Sequence, residues 1–189
     1  MTKLLVSIRD ASEALTAVAE GVDLIDIKEP RNGSLGAASE TDVTEVIEAV
    51  AGRVPLSMAC GELKHVGSEQ RHWSSGHAEA IRFAKLGLAR CGTREDWPKR
   101  WQAAMAEWPE RVSPVAVVYA DWQTCGAPAP EDVVQVAGRL GCRAVLVDTF
   151  DKSAGNLLVH LSMDELTTLG LQVRERGLLY VLAGSLEVE

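Results

Sequence analysis

The feature that most constrains the fold is a strict alternation. Seven short apolar runs, at residues 3–8, 23–28, 55–59, 83–88, 114–120, 143–147 and 178–182, are separated by segments of helical periodicity. Most runs are apolar at nearly every position instead of every second one, the pattern of strands covered on both faces. Parallel strands joined by crossover helices provide that cover. Helices are expected over 10–20, 40–50, 77–82, 95–108, 130–140 and 162–176. Asp10 with Glu13 and Ser162 with Glu165 have capping spacing, and Gly21, Gly52 and Gly141 stand where helices should stop. Trp97, Trp101, Met105 and Trp108 recur at intervals of three and four, a stripe read as packing.

A repeat of roughly 25–30 residues suits a TIM (β/α)8-type barrel better than an open doubly wound sheet. The turn after the first strand, Ser7-Ile8-Arg9-Asp10, lacks the glycines of a dinucleotide fingerprint. Lys28, Lys85, Asp121, Asp148 and Gly184-Ser185 all fall at or near the C-terminal ends of different strands, where a barrel gathers its active site. A chain of 189 residues, 47% hydrophobic, is sized for one domain spanning 1–189.

A net charge of -8 opposes nonspecific binding to nucleic acid or anionic membrane, so an anionic substrate must be held by local cations and N–H groups. No apolar run reaches the roughly 18 residues that would span a bilayer, and no secretory pattern leads the chain, so a cytoplasmic location is expected. Cys60, Cys91, Cys125 and Cys142 are too scattered for a zinc knuckle and fit reduced thiols. His65, His72 and His77 match no metal motif; they read as solvent-facing loop histidines, and neither a metal nor another cofactor is expected.

A lysine ending an otherwise apolar strand loses water, which favours its free, nucleophilic amine; snorkelling into solvent is the plainer alternative. Lys28 occupies such a position, followed by Gly33-Ser34-Leu35-Gly36, whose backbone N–H groups are candidates for cradling an anion, though Gly-x-x-Gly alone is a weak signal. Lys85, inside a strand, is a candidate acid/base or a cation acting on Lys28, and Asp148 with Lys152 forms either a relay or a surface ion pair. Gly184 and Ser185 follow strand seven, a frequent phosphate position in barrels. Several amines and carboxylates on one mouth point to carbonyl chemistry.

The chain resembles the (5-formylfuran-3-yl)methyl phosphate synthase family, also called 4-(hydroxymethyl)-2-furancarboxaldehyde-phosphate synthase. The resemblance rests on Leu5-Val6-Ser7 with Asp10, the run from Asp26-Ile27-Lys28-Glu29-Pro30 through Gly36-Ala37, Lys85-Leu86-Gly87-Leu88, Tyr119-Ala120-Asp121, Asp148-Thr149 with Lys152, and Leu182-Ala183-Gly184-Ser185-Leu186. It implies a TIM barrel joining two glyceraldehyde 3-phosphate molecules into a furan phosphate for methanofuran-type cofactors. Lys28 then matches the Schiff-base lysine, Lys85 a proton acceptor, and Asp148 and Lys152 further required residues. Asp26, Gly33, Ser34, Gly36, Asp121, Gly184 and Ser185 are the expected substrate contacts. The family continues beyond strand seven, so the barrel is expected to lack its last β/α unit, with two open edges that favour a homo-oligomer. A class I aldolase on a sugar phosphate, and a noncatalytic sugar-phosphate binder, are the competing readings.

Overall fold

The computed structural model describes residues 2–66 and 73–186. Seven strands, β1 (Leu5–Ile8), β2 (Leu24–Ile27), β3 (Leu56–Glu62), β4 (Ile81–Gly87), β5 (Ser113–Tyr119), β6 (Ala144–Asp148) and β7 (Leu179–Leu182), form one parallel sheet in sequence order. The sheet curls into a half-barrel. Helices α1 (Ala11–Ala19), α2 (Glu40–Val50), α3 (Ser75–Ala80), α4 (Trp97–Ala106), α5 (Trp122–Cys125), α6 (Pro130–Arg139), α7 (Leu157–His160) and α8 (Met163–Glu175) connect the strands.

The two faces of each strand have different tasks. Outward side chains such as Ile25, Ile27 and Met58 pack against α1 and α2, and Leu86, Val118, Val145 and Val147 pack against α4, α6 and α8. Inward ones, among them Ala59, Val115, Val117, Tyr119, Ala144 and Leu146, pack on one another. Burial of both faces is the physical origin of the uninterrupted apolar runs. Trp97 and Trp101 are buried on α4, with Met105 and Trp108 packed at the margin of the same cluster.

Caps fix where helices begin. The Asp10 carboxylate accepts the Glu13 N–H at 2.9 Å, and Ser162 with Glu165 closes a reciprocal capping box at the start of α8. Three expectations need correcting. Strand β4 starts at Ile81 instead of 83, because α3 already ends at Ala80. Strand β3 runs on past Ala59 to Glu62, since the register shifts between Ala59 and Glu62 and Gly61 takes a φ of +83°, a left-handed turn that costs glycine little. Helices α5 and α7, four residues each, join the six expected ones; a single turn has no periodicity to reveal it.

Candidate active site

Polar groups break into the apolar concave face on neighbouring strands. Asp26 pairs in register with Ser7 of β1 on one side and Ser57 of β3 on the other, which sets their side chains side by side. From β4, the Lys85 ammonium forms an ion pair with Asp26 and donates to Ser57 Oγ at 3.2 Å, while Ser7 Oγ donates to Asp26 at 3.2 Å. Both charged side chains are only 2% exposed. Solvent therefore screens this pair little, and its hydrogen bonds offset the cost of burying two charges. Lys85, considered from sequence as a cation acting on Lys28, is held by a carboxylate two residues before Lys28; Asp26, expected to touch substrate, is that partner.

A second pair lies at the tip of β6. Lys152, half-exposed, forms an ion pair with the buried Asp148 and donates to Thr149 Oγ1 at 3.0 Å, while the Thr149 N–H donates to Asp148 at 2.8 Å. This is a buried carboxylate with an accessible ammonium, which rules out the plain surface bridge. Asp121 accepts the N–H groups of Phe150 and Asp151, one on each carboxylate oxygen and each at 2.8 Å, and so braces the loop after β6.

Lys28 sits one residue past β2, where its N–H donates to the Ile8 carbonyl at 3.1 Å. Among the described residues its half-buried ammonium has no ion-pair partner. It lines a cavity of about 560 Å³ along β1, together with Ser7, Arg9, Glu13, Pro30 and the apolar Val6 and Ile8. The loop after Lys28 is folded on itself. The N–H groups of Gly33 and Gly36 donate to the carbonyls of Pro30 and Gly33, at 3.1 and 3.0 Å, which corrects the expectation that these two N–H groups face an anion. Ser34 Oγ donates to the Thr149 carbonyl at 2.9 Å, so the loop after β2 is tied to the tip of β6. Beyond β7, Gly184 contributes its carbonyl to the Leu157 N–H at 2.8 Å, and Ser185 adopts a φ of +53°.

Sequence reasoning missed one pair at this mouth. The Tyr119 hydroxyl, at the end of β5 and 1% exposed, donates to Glu62 Oε1 at 2.5 Å, and the Ala89 N–H donates to Glu62 Oε2 at 2.9 Å. Burial pushes the Glu62 carboxyl up, against the lowering effect of these hydrogen bonds and of Lys64 and His65; burial and Glu62 together push Tyr119 well up. Glu62 was hidden because the bulge at Gly61 interrupts the run that marks β3. The histidines also need correction: His77 is 5% exposed on α3, with Nε2 at 2.9 Å from Thr44 Oγ1, because packing of α3 on α2 buries it. His65 stays exposed, and Arg71 and His72 lie outside the described residues. Among the described residues no group of three or more His, Cys, Asp or Glu side chains is arranged to hold a metal ion. None of the described helices is long and apolar enough to cross a membrane.

The profile of the 4-HFC-P synthase family matches residues 4–189. The chain belongs to that family. Among relatives of the same family, the (5-formylfuran-3-yl)methyl phosphate synthase of Methanopyrus kandleri is 33% identical over 99% of this chain and 81% of its own length. The protein of that name from Methanococcus maripaludis strain S2 is 32% identical over 98% of this chain and 80% of its own. Solved structures share the fold at far lower identity. CutC, a copper homeostasis protein of Streptococcus agalactiae, superposes with a TM-score of 0.66 at 8% identity, covering 98% of this chain and 89% of its own. 2,3-Dimethylmalate lyase gives 0.61 at 9%, covering 96% and 75%. Family relatives are named as synthases.

Proposed function

We propose that this chain joins two molecules of glyceraldehyde 3-phosphate into (5-formylfuran-3-yl)methyl phosphate, with loss of phosphate and water, for assembly of a methanofuran-type cofactor. One observation carries the reading: of the three lysines that the sequence put forward for the chemistry, Lys28, Lys85 and Lys152, the last two are each bound to an aspartate, whereas Lys28 has no ion-pair partner among the described residues. An amine without a carboxylate partner is the one best able to give up its proton and attack a carbonyl carbon. The names of the family relatives supply the product, and the triose phosphate substrate is what the sequence resemblance implies.

On this reading Lys28 condenses with one triose carbonyl, and the resulting iminium acidifies the neighbouring C–H. Lys85, poised by Asp26, exchanges that proton; Lys152, poised by Asp148, serves the oxygen that gains charge or departs. The loops bearing Ser34 and Gly184-Ser185 flank the same mouth and are the proposed phosphate end. The fold is then a TIM (β/α)8-type barrel with seven of its units in this chain, in keeping with relatives of which the match covers 80% and 81% of their own length. The test is product analysis after incubation with glyceraldehyde 3-phosphate. A near-ultraviolet furan chromophore with release of inorganic phosphate is expected; an aldol product without that chromophore would replace the proposal with a class I aldolase, and unchanged triose phosphate with retained binding would leave a noncatalytic binder.

A further inference from the structure

The Tyr119–Glu62 pair lies outside the residues assigned above, yet its position ties it to them. The bulge in β3 aligns Ala59 with Lys85 and Glu62 with Gly87, so Glu62 stands two residues beyond Lys85 along β4, toward the open mouth. Tyr119 pairs in register with Asp148, the partner of Lys152. The pair thus spans from β3 to β5 across β4, the strand of Lys85, and on its Tyr119 side lies next to Asp148 of β6, so it stands between the two proton-handling couples of the mouth. Gly87 makes this possible: a Cβ there would overlap the Glu62 carboxylate. Phe150 meets the Tyr119 ring edge-on with centroids 5.4 Å apart and holds it in place. Two oxygens held by Tyr119 O–H and Ala89 N–H leave a half-buried carboxyl with further lone-pair capacity toward the mouth.

We propose that Glu62 is a further acid/base of this site, with Tyr119 as its positioning residue, acting on a hydroxyl that leaves as water from the substrate bound above Lys85. The proposal rests on the synthase reading. In the step, a base takes a proton from carbon, the C–H electron pair becomes the new double bond, and the adjacent C–O bond breaks with its electrons going to oxygen. The Glu62 carboxylic acid donates the proton that completes water and becomes a carboxylate, stabilised by the Tyr119 O–H; solvent at its half-exposed edge returns the proton. Burial favours the protonated acid needed to begin. The groups acting on the pair are Lys64 and His65 following β3, Cys91 after β4, Cys125 on α5 and Asp148 on β6.

Tyr119→Phe and Glu62→Gln test this against a structural role. Loss of a positioned acid costs about 100- to 10,000-fold in rate, so Glu62→Gln should lower kcat on that scale with KM nearly constant, and should remove the alkaline limb of the kcat–pH profile. Tyr119→Phe removes a hydrogen bond that favours the carboxylate, so the same limb should move to higher pH. The ¹³C carboxyl resonance of Glu62 in the intact chain supplies a readout that needs no variant: its titration should move when glyceraldehyde 3-phosphate is added. Unchanged kcat and limb in folded variants, or a Glu62 titration indifferent to the triose phosphate, would overturn the pair's role. Borohydride trapping on the parent chain separates that failure from failure of the synthase reading: a trapped imine with an indifferent Glu62 sinks only the pair, whereas no imine sinks the reading itself.

Discussion

Replacing Lys85 with methionine keeps an unbranched side chain of similar length and deletes the ammonium from the concave face. Asp26, with its side chain 2% exposed, would keep only the Ser7 hydroxyl at 3.2 Å among the hydrogen bonds described for it. Removing one member of such a buried pair costs roughly 3–5 kcal/mol, because the other charge stays buried and uncompensated. Against a typical total of about 5–15 kcal/mol, that is a large fraction. At about 2–4 °C per kcal/mol for a chain of this size, the melting temperature should fall by roughly 6–20 °C. Removing both charges is different: Lys85→Met with Asp26→Leu leaves nothing to solvate and should recover most of the loss. The assay is denaturant and thermal unfolding of the parent, both single variants and the double, read as a mutant cycle. Single losses below about 1 kcal/mol, the scale of a surface pair, or a double loss equal to the sum of the singles, would refute the reasoning.

Three further outcomes follow from the same geometry. Gly87→Ala should displace the Glu62 carboxylate and lower activity while Lys28 still forms its adduct; wild-type turnover in a folded variant would contradict the close approach. The folded Glu62 carboxyl is raised, so its contribution to stability is fully present below the unfolded carboxyl's range and is lost as pH rises through the folded one; Glu62→Gln should therefore gain stability relative to the parent as pH rises above the unfolded carboxyl's range, and urea melts with the opposite slope would reverse the sign. Burial pushes Cys125 up to about 11 and Cys142 up to about 12, so iodoacetamide at pH 8 should alkylate the half-buried Cys60 well before either, and native labelling of Cys142 at the rate of Cys60 would contradict their burial.

The strands were legible because burial on both faces writes itself as an apolar run, and helix starts because Asp10 and Ser162 are caps with a chemical reason. What joins side chains across the sheet was not. Asp26 and Lys85 are 59 residues apart, and only the parallel registers through Ser57 and Ala59 bring them together. Lys28 and Lys85 stood out as cations at strand ends, but which one keeps an unpaired ammonium depends on that register. Glu62 stayed hidden behind the bulge at Gly61, although an acid directly after a glycine at a strand end was a signal available in principle. Asp121 shows the same limit, since a carboxylate at a strand tip looks the same in sequence whether or not it holds the N–H groups of the next loop.

The most direct test of the central claim is to incubate the chain with glyceraldehyde 3-phosphate and borohydride and to map the reduced adduct by peptide mass spectrometry. The account predicts one adduct, on Lys28, absent from a Lys28→Arg variant that unfolds at the parent's temperature. An adduct on Lys85 or Lys152 instead, or furan formation with no adduct at all, would contradict it.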